Sequence, residues 1–374
     1  MKAQIPKRII ISGGGTGGHV FPAIAIADSL RTELSDAEIL FVGARGKMEM
    51  EMVPQSGYEI IGLPVEGFHR RFSLGNIRVV VKMLVSLRMS GKLIRAFKPD
   101  AVVGVGGYAS GPILRKAASM GIPTLLQEQN SYAGVTNRLL ARRACKICVA
   151  YQGMEQYFPA HKLILTGNPV RKEIRELDPS GDPAGARKTF RLDDASKVLL
   201  VLGGSLGART INDAVGHGLK LILDRPGISL VWQCGKHYYD EAKKIIAGHA
   251  KERIVLMDFI TRMDLAYLVA DVVIARAGAI TISELCHAAR PVILVPSPNV
   301  AEDHQTKNAQ YLVERSAALC VPDHEAAGRL IRQALGLLEN EEKRNELSKN
   351  IKQLARPDAA GTIAREIVSM MKDG

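Results

Sequence analysis

Short, nearly continuous apolar runs alternate along this chain with stretches whose apolar residues recur at helical spacing. The runs at 8–11, 38–42, 101–105, 124–127 and 162–166 predict strands, and 23–34 predicts a helix between the first two. After the turn-rich Gly167-Asn168-Pro169 the pattern restarts, with strands expected at 198–202, 229–233, 254–257, 272–275 and 292–295. The tail, 325–372, reads as helical and charged. Apolar strands without alternation, separated by helices, are strands buried on both faces, so the chain is expected to be α/β with doubly wound parallel sheets. Two domains follow, 1–166 and 167–357, with a last helix at about 358–374 packing back on the first.

Three glycine-rich turns punctuate this pattern: Gly13-Gly14-Gly15-Thr16-Gly17-Gly18-His19, Gly104-Val105-Gly106-Gly107-Tyr108 and Gly203-Gly204-Ser205-Leu206-Gly207-Ala208-Arg209. The first and third, about 190 residues apart, each follow a strand and open a helix. Backbone N–H groups at such a helix start face an anionic ligand, and glycine lets the backbone approach it. The first lacks the Gly-Lys-Ser/Thr ending of a P-loop. The following strand ends Phe41-Val42-Gly43-Ala44-Arg45 without the acid a dinucleotide site wants there. His19 stands where the helix begins. A helix N-terminus favours the neutral imidazole a general base needs, and the plainer reading is a histidine that caps or packs.

Gln127-Glu128-Gln129-Asn130 falls at a strand end, where a carboxylate and amides need either substrate hydroxyls or backbone as partners. In the second half, Arg276-Ala277-Gly278-Ala279-Ile280-Thr281-Ile282-Ser283-Glu284 follows a strand and opens a helix. Glu284 there either accepts two ribose hydroxyls or complements the helix dipole. Asp303-His304-Gln305 lies in a later loop. The chain has no Asp-x-Asp and no carboxylate–histidine cluster at metal-ligand spacing, so a metal-dependent sugar transferase is disfavoured and no metal is expected.

Composition sharpens the picture in one place. Of the net charge of +12, residues 1–170 carry 21 Lys and Arg against 11 Asp and Glu, an excess of ten. Between 74 and 98, Val79, Val80, Val81, Met83, Leu84, Leu87, Leu93 and Ile94 alternate with Arg78, Lys82, Arg88, Lys92, Arg95 and Lys98, without an acid. That is either a basic amphipathic helix for an anionic membrane interface or a core helix with a basic outer face. No 18-residue apolar run spans a membrane, and Ile9-Ile10-Ile11 is too short for a signal peptide, so the chain is expected in the cytoplasm. The five cysteines, including Cys145-Lys146-Ile147-Cys148, read as reduced thiols.

The ordered set GGGTGGHVFPAIAIA, GVGGYASGP, QEQNSYAGVTN, GNPVR, GGSLGAR, ARAGAITISE and DHQTKNA resembles the MurG family of peptidoglycan glycosyltransferases, glycosyltransferase family 28, over essentially the whole chain. The resemblance implies a GT-B fold, two Rossmann-like domains facing a cleft. It implies inverting, metal-independent transfer of N-acetylglucosamine from UDP-N-acetylglucosamine to the C4 hydroxyl of lipid I, undecaprenyl-diphosphate-linked N-acetylmuramoyl pentapeptide, giving lipid II. By the same resemblance His19 is the catalytic base, and no cofactor is needed. Thr16, Gly17, Gly18, Asn130, Arg171, Ser205, Ile260, Ala279, Ile280, Thr281, Ile282, Ser283, Glu284 and Gln305 contact the donor, with Tyr108 and Glu128 on the acceptor side. The implied setting is peripheral, on the cytoplasmic face of the bacterial inner membrane, with an anionic membrane surface and other cell-wall synthesis and division proteins as partners and no nucleic acid. Gln127 departs from the family, where a histidine often precedes Glu-Gln-Asn, and the loop 296–303 departs from some members. The rival readings are a GT-B transferase with another lipid acceptor, such as diacylglycerol, and a nucleotide-sugar-binding scaffold without turnover.

Overall fold

The computed structural model describes residues 6–66, 75–204, 206–249, 253–300 and 303–372. The chain divides into two compact units, the first reaching Arg171 and resuming at Asp358, the second running from Lys172 to Pro357. The first unit thus runs five residues past the 166 expected from the sequence. The reason lies in Asn168, whose Oδ1 accepts from Gln127 Nε2 (2.9 Å) and whose Nδ2 donates to the Gln129 carbonyl (3.0 Å), fastening 167–171 to the first unit.

In the first unit the strands are β1 (Arg8–Ser12), β2 (Glu38–Ala44), β3 (Glu59–Leu63), β4 (Ala101–Gly104), β5 (Thr124–Glu128), β6 (Lys146–Val149) and β7 (Leu163–Leu165). Its helices are α1 (Gly17–Glu33), α2 (Glu49–Gln55), α3 (Gly75–Phe97), α4 (Ser110–Ser119) and α5 (Val135–Leu140). The sheet is wholly parallel in the order β3-β2-β1-β4-β5-β6-β7, with Ile10 of β1 paired to Leu40 on one side and Val102 on the other. Successive residues of each strand feed opposite cores. Ile10, Val42, Val102 and Leu126 pack against α4 and α3, whereas Ile9, Ile11, Phe41 and Val103 pack against α1. That two-sided burial is why the strands read as unbroken apolar runs.

The second unit holds α6 (Lys172–Arg175), α7 (Ala184–Phe190), α8 (Arg209–Leu223), α9 (Tyr239–Ala247), α10 (Met263–Val269), α11 (Ala279–Ala288), α12 (His304–Val313), α13 (Ala326–Glu339) and α14 (Glu341–Gln353). Its strands are β8 (Lys197–Leu202), β9 (Ile228–Gln233), β10 (Ile254–Met257), β11 (Val272–Ala275), β12 (Val292–Leu294) and β13 (Leu319–Cys320), parallel in the order β10-β9-β8-β11-β12-β13. Both sheets reverse their winding once, between β1 and β4 and between β8 and β11. In open α/β sheets ligands bind outside the strand C-termini at that switch point.

The expected strands appear within a residue or two, and β3, β6 and β13 are additional. The first of these is a half-buried edge strand interrupted by Gly62, and the last is two residues long, so neither gives a strong apolar run. The strand β6 coincides with the cysteine segment; Cys148 lies buried in it, and burial pushes its thiol up to about 12. Helix α1 begins at Gly17, six residues before the expected 23, across glycines and Pro22 that propensity alone disfavours. The helical tail is three helices. Asn340 separates two of them by accepting the Lys343 amide at 2.9 Å.

The last of the three, α15 (Ala359–Met370), belongs to the first unit. Its Ile363, Ala364, Ile367 and Met370 complete the core formed by Val20, Ile26 and Leu30 of α1. Lys146 of β6 donates to Glu366 at 2.6 Å. Ile367→Ala should therefore cost the first unit about 2–5 kcal/mol. The one tryptophan, Trp232, is buried in the second unit. In urea, the far-UV circular dichroism transition of this variant should split and begin earlier, while the Trp232 fluorescence transition stays in place. Coincident shifts of both signals would contradict this partition.

Candidate active site

The first glycine loop lies where β1 hands over to α1. Gly13 and Gly14 are buried, Gly15 takes φ +89°, and Thr16 is the extended N-cap whose carbonyl accepts from His19 N (3.0 Å) and Val20 N (3.2 Å). Thr16 Oγ1 lies 3.2 Å from His19 Nδ1, a contact that fixes the ring's direction. Farther along the helix, Pro22 cannot donate to the Gly18 carbonyl.

The second loop packs on the first. The amide of Val105 donates to the Ser12 carbonyl at 2.7 Å, and Gly106 and Gly107 have φ of +94° and +85°. A Cβ on Gly106 would lie 2.6 Å from His19 Cδ2 and 2.7 Å from Nε2, so the ring rests directly against this turn. Tyr108 is exposed beside it, and Ser110 donates to the Gly107 carbonyl at 2.8 Å.

The loop after β5 is a network of amides. Gln129 Nε2 donates to the Val105 carbonyl at 2.7 Å and also contacts Gln127 Oε1, which joins His19's turn to Asn168. Glu128 is buried and already engaged. Its Oε1 accepts from Asn130 N (3.1 Å) and Nδ2 (3.3 Å), and its Oε2 from Gly134 N (3.0 Å) and Asn137 Nδ2 (2.9 Å). Desolvation holds its carboxyl above the ordinary carboxylate range, against the lowering effect of those donors. The guanidinium of Arg171 stands 5.9 Å from the ring of Phe21 on α1.

In the second unit, the third glycine loop connects β8 to α8, which begins at Arg209. Ser205 lies outside the described residues. The Gly203 amide donates to the Gln233 carbonyl at 2.8 Å, and a Cβ on Gly207 would lie 2.3 Å from the Tyr238 ring. Ile260 is buried, its amide donating to Gln233 Oε1 at 3.2 Å.

Beyond β11, Arg276 donates to the Val295 carbonyl at 3.0 Å and pairs with Asp323, bracing the turn that starts α11. Ala279, Ile280, Thr281, Ile282, Ser283 and Glu284 are its first six residues. Glu284 is buried and accepts from Tyr267 Oη at 3.2 Å. Gln305 of α12 accepts the Ser297 amide at 2.9 Å, and Asn308 ties the same helix to the Ala277 carbonyl at 3.3 Å. Thus His19, Thr16, Gly17, Gly18, Tyr108, Glu128, Asn130 and Arg171 fall in the first unit, and Ile260, Ala279 to Glu284 and Gln305 in the second. No group of three or more His, Cys, Asp and Glu arranged to hold a metal occurs among the described residues.

Sequence reasoning missed Glu49, whose buried carboxylate accepts from Gly15 N and Ala44 N, both at 2.9 Å. The search for an acid stopped at the end of β2, and Glu49 begins the next helix. Gly43 and Gly14, which carry no side chain where the carboxylate lies, were the available signal. The Gln233 side chain was missed as well.

Two parallel-sheet units, each with a glycine loop at its switch point, define the architecture of the GT-B glycosyltransferases. The glycosyltransferase family 28 N-terminal domain matches residues 9–149, and the family 28 C-terminal domain matches 198–363. The UDP-N-acetylglucosamine–N-acetylmuramyl-(pentapeptide) pyrophosphoryl-undecaprenol N-acetylglucosamine transferase of Parabacteroides distasonis is 53% identical, over 97% of this chain and 98% of its own. The protein of the same name from Porphyromonas gingivalis (strain ATCC 33277) is also 53% identical, over 99% of this chain and 97% of its own. Among solved structures, Acinetobacter baumannii MurG superposes with a TM-score of 0.78 at 29% identity, over 97% of this chain and all of that one. The chain belongs to glycosyltransferase family 28, in the MurG family.

Because Gly106 combines a left-handed backbone with contact to the His19 ring, Gly106→Ala should displace the imidazole. A misplacement of about 1 Å costs about 100-fold in turnover. The unfolding transition of the second unit, read from Trp232 fluorescence, should stay unchanged, since Gly106 lies in the first unit. Wild-type turnover in this variant would show that the ring tolerates the added methyl.

Proposed function

We propose that this protein transfers N-acetylglucosamine from UDP-N-acetylglucosamine to the C4 hydroxyl of the muramoyl sugar of lipid I, with inversion, producing lipid II. The observation that carries this reading is the near-full-length identity, across both units, to relatives named for that transfer. A rival scaffold without turnover gains nothing from the site, where the Thr16 contact directs the His19 ring.

In this reading His19 takes the proton of the C4 hydroxyl as its oxygen attacks the anomeric carbon of the donor. The bond from that carbon to the β-phosphate oxygen breaks, and UDP departs. Amides of the third glycine loop around Ser205, together with Arg171, stabilise the leaving diphosphate in place of a metal ion. Glu284, oriented by Tyr267, holds the ribose, and backbone near Ile260 meets the uracil. Thr16, Gly17, Gly18, Asn130, the residues 279–283 and Gln305 complete the donor contacts. Tyr108 lines the acceptor side. Glu128 acts there through the loop it organises, because its oxygens are already engaged.

His19→Ala should lower turnover by about two to four orders of magnitude, the usual worth of a general base, with donor affinity little changed. Transfer of labelled N-acetylglucosamine to a lipid I analogue, with and without EDTA and with diacylglycerol as the competing acceptor, tests the whole reading. Near-normal turnover of the variant removes His19 from the mechanism. Loss of activity in EDTA with rescue by magnesium removes the metal-free leaving-group assignment.

We also propose peripheral attachment to the cytoplasmic face of an anionic membrane. Among the described residues no helix is long and apolar enough to cross one. Helix α3 buries Val79, Ser86, Ser90 and Ile94 but exposes Val80, Val81, Leu84 and Val85 in its first half. Its second half lines a groove with Arg88, Lys92, Arg95, Arg115, Lys116 and Arg143. Apolar residues for insertion thus lie beside cations for lipid phosphates, each worth about 1 kcal/mol near such a surface. Replacing Arg78, Lys82 and Arg88 with glutamine should release the protein from anionic liposomes and leave donor binding intact. Lys82, already paired with Glu66, should contribute least. Salt should release the wild type only in part. Binding indifferent to lipid charge and to these substitutions would reduce α3 to a packed helix with a basic outer face.

A further inference from the structure

Glu49 is the first residue of α2, and its side chain is fully buried. Both carboxylate oxygens act as acceptors, Oε2 for the Gly15 amide and Oε1 for the Ala44 amide. It enters a slot that glycines keep open: a Cβ on Gly14 would lie 2.1 Å from Oε1, and one on Gly43 would lie 2.6 Å from Cγ. No cation pairs with it among the described residues. A buried carboxylate answered only by two backbone amides is costly unless it fixes something.

What it fixes is the first glycine loop. Gly14 is held from the other side by Gly107, where a Cβ would lie 2.4 Å from the Gly14 carbonyl oxygen. The loop is thereby clamped between the Glu49 carboxylate and the turn on which the His19 ring rests. The Gly15 amide, which in an anion-binding loop would face a phosphate, is already spent on a carboxylate of the protein.

We infer that Glu49 is a positioning residue that holds the first glycine loop from within through the Gly15 and Ala44 amides, and so sets the place of His19. The inference rests on the proposed role of His19 as base. It makes a carboxylate the group that the emptied slot would accept.

Glu49→Gln should fold and bind UDP nearly as the wild type does, because none of the groups proposed for the uracil, the ribose and the diphosphate (Ile260, Glu284, the loop around Ser205 and Arg171) bonds to Glu49. Its amide nitrogen would face a backbone N–H, so kcat should fall about ten-fold or more with the donor KM nearly unchanged, the pattern of an interaction that counts in the transition state. Glu49→Ala should lose more and regain activity in sodium formate, whose two oxygens reach both amides, but not in sodium chloride at equal ionic strength. The 15N signals of the His19 ring should shift in both variants and return with formate. Those signals decide the matter independently of catalysis: absence of product from the wild type overturns the function reading, while unshifted His19 signals overturn this one. Turnover of Glu49→Gln within about two-fold of wild type, no response to formate, or failure of both variants to fold would each overturn the positioning role.

Discussion

At the switch point of the first sheet, two backbone turns come closer than a side chain would allow. A Cβ on Gly107 would lie 2.4 Å from the Gly14 carbonyl oxygen, and one on Gly13 would lie 3.2 Å from the Val105 Cβ. The parallel sheet imposes this crowding, because β1 and β4 are neighbours whose continuations leave on opposite faces. Glycine at those positions is a steric requirement before it is a ligand-binding device. His19 occupies a defined place because the loop beneath it has no room to move.

The second unit meets the same geometric problem with other chemistry. Its loop amide at Gly203 is taken by the Gln233 carbonyl, and the Gln233 side chain takes the amide of Ile260. A backbone carbonyl therefore meets the glycine loop of the second unit, where a carboxylate meets that of the first. Behind it, Asn212 bonds both the Cys234 carbonyl (2.9 Å) and Trp232 Nε1 (3.0 Å), so α8 is anchored without a buried charge. Arg276, paired with Asp323, is turned toward the backbone of 295–296 and braces the start of α11.

The architecture was legible because two-sided burial writes itself into sequence as continuous apolar strands, and ten of them fell where expected. The missing three were an edge strand, a two-residue strand and a strand disguised by its cysteines. The start of α1 was illegible for a physical reason. Glycines and Pro22 are poor helix formers, and packing of Val20 and Ile26 on the sheet decides the matter instead. At the site, loops and base were visible as glycine spacing, but partners distant in sequence were not. Nothing in Glu49 announces that it reaches Gly15, and Asn168 looked like a linker residue until its bonds to Gln127 and Gln129 placed it in the first unit.

The charge distribution gains a clearer meaning from these contacts. The excess of ten positive charges in residues 1–170 invites the thought that the first unit binds phosphates at its glycine loop. Yet the groups facing that loop from inside are a carboxylate at Glu49 and neutral amides at Gln127 and Gln129. A cluster of cations lies on α3 and in the adjoining groove with Arg115 and Arg143, while Arg171 stands beside Phe21 of α1. The base role proposed for His19 is better served by such a setting than by a ring of lysines, since nearby positive charge disfavours imidazolium. The groove of cations and the first glycine loop are thus distinct parts of one unit, so the proposed membrane contact and the proposed base make separate electrostatic demands on it.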